Sequence, residues 1–110
     1  MKDKDIIIIQ KIVKYMKDVE SFIKDMSFEQ FKDDRKTMSA SAFAIGQIGE
    51  LVQELDGEVL TDNPNIPWKD IRGMRNRIVH DYENVDLTVL WQTLRNDIPK
   101  LLIQLNNISD

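Results

Sequence analysis

The residues with the clearest chemical potential lie between positions 69 and 82. Four basic residues and one acidic residue fall between Lys69 and His80, so this window carries +3 while the whole chain carries −4. The basic residues are Lys69, Arg72, Arg75 and Arg77. Arginine binds phosphate oxygens in a bidentate manner, which suits a surface that faces RNA or a nucleotide. The alternative is that these arginines pair with acidic residues of neighbouring helices, the commoner role of charges on a helix.

His80 ends this window and is the only histidine in the chain. Its ordinary pKa of about 6.5 makes imidazole suitable for proton transfer near neutral pH. In a helix, His80 shares a face with Asn76, one turn earlier, whereas Arg75 lies ~140° away around the axis. Two copies of the chain facing each other would therefore bring Arg75 and His80 together more easily than one copy. The alternative role is structural, since a histidine near a helix C-terminus commonly stabilises the helix dipole.

The spacing of apolar residues predicts the helices that position these side chains. Apolar residues recur at steps of three and four along most of the chain, and no segment has a convincing strand pattern. We therefore expect an all-α fold with a single domain, residues 1–110, in which four main helices and one short extra helix form an up-down bundle. The main helices are predicted over Asp5–Asp25, from Asp34 or Thr37 to Asp56, over Pro67–Asp81, and from Asp86 to Leu105.

Residues with polar side chains mark where several of these helices begin. Ser27 and Gln30 have the spacing of a capping box, which predicts the short extra helix. Asp3 or Asp5 is expected to cap the first helix, and Asp86 the last one.

Glycine, proline and turn-forming residues mark the interruptions. Gly57 suits the left-handed position after the second main helix, and Glu58–Ile66 is the most loop-like segment of the chain. Pro99 is expected to bend the last helix, because its ring removes one hydrogen bond and crowds the carbonyl of Arg95.

The second main helix combines an apolar face with several small residues. Its apolar face is formed by Phe43, Ala44, Ile48, Leu51, Val52 and Leu55. The small residues are Ala40, Ala44, Gly46 and Gly49. Since small residues allow a close approach of another helix, we expect a packing seam here, either inside the domain or across a dimer.

Two further pairs of residues have the spacing or the chemistry of a binding site, but the sequence favours structural roles for them. Glu50 and Glu54 are one helical turn apart, but one histidine and no second carboxylate motif give little support to a metal centre. We expect them to form a solvated face. Trp68 and Trp91 lie on apolar faces, which favours core packing over stacking on bases.

Composition limits the class of protein. The chain has 110 residues and a mass of 12.9 kDa, with 42% hydrophobic and 31% charged residues, which excludes a disordered chain. The absence of cysteine excludes disulfides and thiolate zinc sites, and it fits the cytoplasm. The apolar run that begins at Ile6 is only four residues long, so we expect neither a signal peptide nor a membrane span. A net charge of −4 argues against coating nucleic acid through overall charge.

Residues 66–82 resemble the signature of HEPN-domain proteins, specifically the HepT-like toxins. That family has an Ile-Pro-Trp helix start followed by Arg, Asn, three residues, His, one residue and Tyr. This chain has Ile66-Pro67-Trp68, followed by Arg75, Asn76, His80 and Tyr82 without a gap. The segments 44–50 and 86–99 are similar to the family's second and last helices, so the resemblance covers essentially the whole chain.

The resemblance implies a metal-independent endoribonuclease that acts as the toxin of a toxin–antitoxin pair. Members of this family are usually homodimers with their motifs gathered in a cleft between protomers, and their antitoxin is a minimal nucleotidyltransferase. In some members the antitoxin transfers AMP to the motif tyrosine. For this chain the resemblance thus implies an RNA substrate such as tRNA or mRNA, no cofactor or metal, and Tyr82 as the AMP acceptor.

The resemblance also assigns roles to individual residues. It places Arg75, Asn76 and His80 in the catalytic group, with Tyr82 beside them. The positive charge of the window makes Lys69, Arg72 and Arg77 candidate substrate-binding residues together with Tyr82. RNA cleavage without metal needs a base for the 2′-OH, cations for the phosphorane and an acid for the leaving oxygen. His80 can be the base or the acid, Arg75 can hold the scissile phosphate, and Asn76 can orient either group. AMP on Tyr82 would put negative charge where the substrate phosphate must lie.

Two other functions remain open at this level. The same helical bundle can be a non-catalytic HEPN module that binds a nucleotidyltransferase partner or a nucleotide. It can also be a dimerisation bundle without a ligand, in which Arg75 and His80 are buried in intramolecular salt bridges. A nuclease assay separates the first of these from a ribonuclease.

Overall fold

The computed structural model describes residues 1–81 and 86–108, without the side chains of residues 77–81. Every regular element in these ranges is helical, which confirms the all-α prediction. The elements are α1 (Asp3–Ile23), α2 (Phe28–Lys32), α3 (Arg35–Gln53), α4 (Gly57–Asp62), α5 (Trp68–Asp81), α6 (Leu87–Gln92), a π-helical turn (Thr93–Asp97) and α7 (Ile98–Asn106). None of the helices in these ranges combines the length and apolar character that crossing a bilayer requires.

Helix α3 lies between α1 and α5 and forms the central layer of the bundle. Helix α1 also packs against α7 and the π-helical turn. Side chains that are fully buried or nearly so come from all of these elements, among them Ile12, Met16, Ile45, Ile48, Ile71, Leu94 and Ile98. Since α5 packs mainly on α3, the position of the basic window of the sequence depends on the surface of α3.

The caps predicted at Ser27 and Asp86 are confirmed, and Asp34 caps a third helix. Ser27 and Gln30 form both hydrogen bonds of the capping box at the start of α2. Asp34 and Asp86 each accept a hydrogen bond from a backbone N–H two or three residues further along, at 3.0 and 2.9 Å respectively. These bonds satisfy N–H groups that have no partner within the first helical turn.

The predicted cap of α1 is wrong, because the helix begins after Lys2 and no side chain caps it. Asp5 lies in the first turn and is buried, with its carboxylate accepting a hydrogen bond of 3.1 Å from the backbone N–H of Asp56. The carboxylate oxygens of Asp56 in turn lie 3.0 Å from the Nζ atoms of Lys2 and Lys4. Hydrogen bonds and charge from Lys4 and Lys2 lower the pKa of Asp56 to about 2.

The loop predicted over Glu58–Ile66 is wrong in its first half, where the structure has the short helix α4. Gly57 is the first residue of that helix and does not have the predicted left-handed conformation, since no glycine in the described residues has a positive φ. Helix α4 forms because of contacts with distant parts of the chain. Val59 is buried in the core, and Asp5 satisfies the N–H of Asp56 at the start of the helix.

The irregularity predicted at Pro99 takes the form of the π-helical turn. Here the N–H of Ile98 bonds to the carbonyl of Thr93, five residues back. Pro99 has no N–H for the carbonyl of Arg95, and its ring would crowd that oxygen in a regular α-helix. The widened turn therefore lets α6 and α7 continue one another across the proline.

Aromatic side chains follow the predictions with one exception. Trp68 is buried, and Trp91 packs on Phe31 with 5.1 Å between ring centroids, so both tryptophans belong to the packed interior as expected. Phe43 was expected on the apolar face of α3 but is 61% exposed and lies edge-on to Tyr15. The buried face is set by Ile45 and Ile48, and Phe43 is more than a quarter turn away from both.

Candidate active site

Helix α5 presents one face to the core and the other to solvent. Trp68, Ile71 and Met74 are buried at steps of three, whereas Lys69 and Asn76 are exposed. At about 100° per residue, position 75 falls between positions 68 and 71 around the helix axis. The side chain of Arg75 therefore starts from the face that packs on α3.

Arg75 passes over Gly49 of α3. A Cβ atom built on Gly49 would lie 2.3 Å from the Cβ of Arg75 and 2.9 Å from its Cγ, so any side chain at position 49 would occupy the space of the arginine stem. Ala44, Gly46 and Gly49 are all buried. The small-residue seam predicted on α3 thus contributes to packing inside the domain, where it accommodates Arg75.

The guanidinium of Arg75 reaches polar partners on two helices. Its Nη2 forms an ion pair with the carboxylate of Glu50 on α3, and its Nη1 donates a hydrogen bond of 3.2 Å to the Oδ1 of Asn76. The side chain of Arg75 is 24% exposed and that of Glu50 is 48% exposed. Glu50 is exposed, which confirms the predicted solvated face, and the crossing of α3 and α5 also brings a cation to it.

The other basic residues of α5 behave differently from Arg75. Lys69 is exposed and Arg72 is half-buried, and neither forms an ion pair with any side chain in the described ranges. Among the described side chains, pairing with a neighbouring helix is thus found for Arg75 and not for Lys69 or Arg72. Arg77 and His80 lie on α5 with side chains outside the described part of the chain, and Tyr82 lies outside the described residues altogether.

These contacts bring a guanidinium and an amide together at the exposed face of α5. The hydrogen bond to Asn76 brings the guanidinium of Arg75 to the face on which helical spacing also places position 80. A guanidinium has five N–H donors, and the contacts to Glu50 and Asn76 use only some of them. Such an arrangement can bind a phosphate oxygen next to an amide and a cationic surface.

A concave surface lies on another side of α5. A surface groove of about 660 Å³ lies between α5 and α7, lined in part by Pro67, Asp70, Met74, Lys100 and Ile103. Arg75 and Asn76 do not line it. Within the described residues, no three histidine or acidic side chains come together as metal ligands would.

Comparison with known proteins places this helical bundle in a family. The family model described as "Ribonuclease HepT-like" matches residues 12–108, which includes most of α1 and all of the later helices. A protein of Thermococcus cleftensis named "Probable ribonuclease HepT" is 34% identical over 93 residues, which cover 84% of this chain and 84% of that protein.

Two further relatives carry similar names. A "Putative RNase" of Methanocaldococcus jannaschii is 33% identical over 90 residues, covering 82% of this chain and 78% of the relative. A "Putative RNase" of Caldanaerobacter subterraneus subsp. tengcongensis is 35% identical over 86 residues, covering 78% and 77% respectively. No solved structure matches the chain. With nearly its whole length matched by the family model, this chain belongs to the HepT-like ribonuclease family.

Proposed function

We propose that this protein is a metal-independent endoribonuclease whose active site is built on α5 from Arg75, Asn76 and His80. The observation that carries the proposal is the guanidinium of Arg75, which hydrogen-bonds Asn76 on the most cationic helix of an otherwise acidic chain. Membership of a ribonuclease family and relatives named as RNases support the same activity.

The proposed reaction starts from the ribose 2′-OH of the substrate. The imidazole of His80 accepts the 2′-OH proton or donates a proton to the leaving oxygen, and Arg75 stabilises the negative charge that develops on the phosphorane. Asn76 orients the phosphate or the imidazole. The new bond between the 2′-oxygen and phosphorus replaces the bond to the 5′-oxygen, which leaves a 2′,3′-cyclic phosphate and a free 5′-OH.

In this proposal the other basic residues of α5 bind the RNA strand. Lys69, Arg72 and Arg77 bind phosphates that flank the scissile one, and Tyr82 contacts the substrate at the end of the motif. Such contacts position RNA without selecting its sequence, because phosphates are the same at every nucleotide. We therefore expect these contacts to increase the affinity for RNA and to fix the position of the strand along α5.

A homodimer completes the proposed site. Arg75 and His80 are ~140° apart around α5, so one copy separates them while a second copy can bring its own pair across the interface. Symmetric dimers are the commonest oligomers of soluble proteins. We propose that two α5 helices line one RNA cleft.

The proposed activity predicts RNA cleavage in the presence of EDTA. Purified protein incubated with total RNA or tRNA is expected to yield fragments with 2′,3′-cyclic phosphate and 5′-OH ends at an unchanged rate after chelation of divalent ions, because His80 and Arg75 supply the proton transfer and the charge. Gel analysis with end-specific enzymes measures both the rate and the ends.

Cleavage that requires added Mg²⁺ would contradict the metal-independent mechanism. Absence of cleavage combined with tight binding of a nucleotidyltransferase would instead support the non-catalytic HEPN module.

We further propose that this protein is the toxin of a toxin–antitoxin pair, with a minimal nucleotidyltransferase as antitoxin and Tyr82 as the residue that receives AMP. The added nucleotide carries negative charge and would repel the substrate phosphate beside Arg75. Co-expression with the cognate transferase is expected to add one or more AMP masses to the wild type and none to Tyr82→Phe, as read by intact-mass spectrometry. The same added mass on the two proteins, or no added mass on either, would remove Tyr82 as the acceptor.

A further inference from the structure

We infer that Glu50 is a positioning residue for the nuclease reaction: its carboxylate holds the guanidinium of Arg75 where that group meets the scissile phosphate. The inference rests on the proposed ribonuclease function, since it assigns a role toward that reaction. It concerns a residue of α3, outside the motif of α5 that carries the family resemblance.

Three contacts restrict the side chain of Arg75. Its stem lies against Gly49, where even one extra carbon would come within 2.3 Å, its Nη2 pairs with Glu50, and its Nη1 bonds Asn76 at 3.2 Å. A free arginine side chain samples many rotamers, and this freedom is lost when the guanidinium must act at one point. The contacts with α3 impose that restriction before any substrate binds.

The exposure of both side chains indicates that the ion pair between Glu50 and Arg75 contributes little to the free energy of folding. Glu50 is 48% exposed and Arg75 is 24% exposed, so water screens the attraction between them. Ion pairs of this kind contribute little to stability. The contact instead fixes a direction for the guanidinium, which is the property that electrostatic stabilisation of a transition state depends on.

The charge of Glu50 opposes substrate binding at the same time. A carboxylate in contact with Arg75 reduces the net positive charge that an RNA phosphate meets. If Glu50 only attracted or repelled RNA, its removal would change KM alone. A positioning role instead predicts that its removal lowers kcat while KM stays the same or falls.

Glu50→Gln tests this, with Glu54→Gln as the matched control. Glu54 lies one turn further along α3, is exposed, and forms no ion pair with a described side chain. On a short RNA substrate we expect Glu50→Gln to lower kcat about ten-fold, with KM unchanged or up to about three-fold lower. We expect Glu54→Gln to match the wild type in both constants, and both variants to keep the wild-type Tm.

A double-mutant cycle with Arg75→Lys tests whether Glu50 acts through Arg75. Lysine retains a charge but lacks the two-pronged guanidinium, so Glu50→Gln is expected to cause no further loss of kcat in the Arg75→Lys protein. An equal ten-fold loss in both backgrounds would overturn the positioning role.

The outcomes separate the two proposals. A wild type that cleaves RNA while Glu50→Gln behaves like Glu54→Gln overturns the role of Glu50 and leaves the ribonuclease function standing. A raised KM with unchanged kcat, or a lowered Tm that accounts for the lost activity, also overturns it. A wild type that cleaves no RNA overturns the ribonuclease function and, with it, the role of Glu50.

Discussion

Arg75→Ala and His80→Ala are each expected to reduce the rate of RNA cleavage by about a thousand-fold. A single charge-stabilising donor or a general acid–base group typically contributes about 10² to 10⁴ in rate, so the loss of either group alone is enough to remove most of the activity. Single-turnover cleavage of a fluorogenic RNA measures the effect.

The fold of Arg75→Ala is expected to survive. The substitution leaves Glu50 without its partner, but that side chain is 48% exposed and can be hydrated. Circular dichroism and thermal unfolding therefore serve as the check that lost activity is not lost structure.

Arg35→Ala provides the matched arginine control. Arg35 is the first residue of α3, is exposed, and forms no ion pair in the part of the chain that the structure describes. This variant is expected to cleave RNA at the wild-type rate. Activity that persists in both Arg75→Ala and His80→Ala would exclude the proposed catalytic pair.

Gly49→Ala is expected to be less stable than Gly73→Ala by about 2 kcal/mol in the free energy of unfolding. Both glycines lie inside helices, so each alanine gains about 1 kcal/mol of helix propensity. The methyl group at position 49 would meet the Cβ of Arg75 at 2.3 Å, whereas nothing in the described part of the chain lies within 4 Å of the corresponding atom at position 73. Relieving such an overlap requires α3 and α5 to shift, at a cost of about 1–3 kcal/mol.

Urea denaturation of the two variants measures the difference, and cleavage kinetics report its consequence for the site. Because the shift would move Arg75 relative to Glu50, Gly49→Ala is expected to lose activity and Gly73→Ala to retain it. Equal stability of the two alanine variants would mean that the close approach at Gly49 can be relieved without cost.

Local sequence signals predicted most of the helices. Apolar periodicity located α1, α3 and α5, and the side-chain caps at Ser27 and Asp86 marked helix starts because capping depends on residues only two or three positions apart. Helix α4 was not predicted from the sequence, because its turn-forming residues favour a loop. Burial of Val59 and the hydrogen bond from Asp56 to Asp5, 51 positions away, stabilise it instead.

The same division applies to the candidate site. The motif of Arg75, Asn76 and His80 is visible in the sequence, and helical spacing places positions 75 and 80 ~140° apart around α5. The ion pair of Glu50 with Arg75 was not predicted, although the adjacent Gly49 in a small-residue seam was a signal that another chain segment passes close to this point.

The sequence by itself thus determined the helical class, the cationic segment and the motif that identifies the family. Each of these depends on residue types and on spacing within a turn or two of helix, where geometry is the same in every protein. Only the tertiary structure decided that Arg75 crosses Gly49 and meets Glu50. That pairing depends on the register in which α5 packs on α3, which is set by the fit of the whole interface between the two helices.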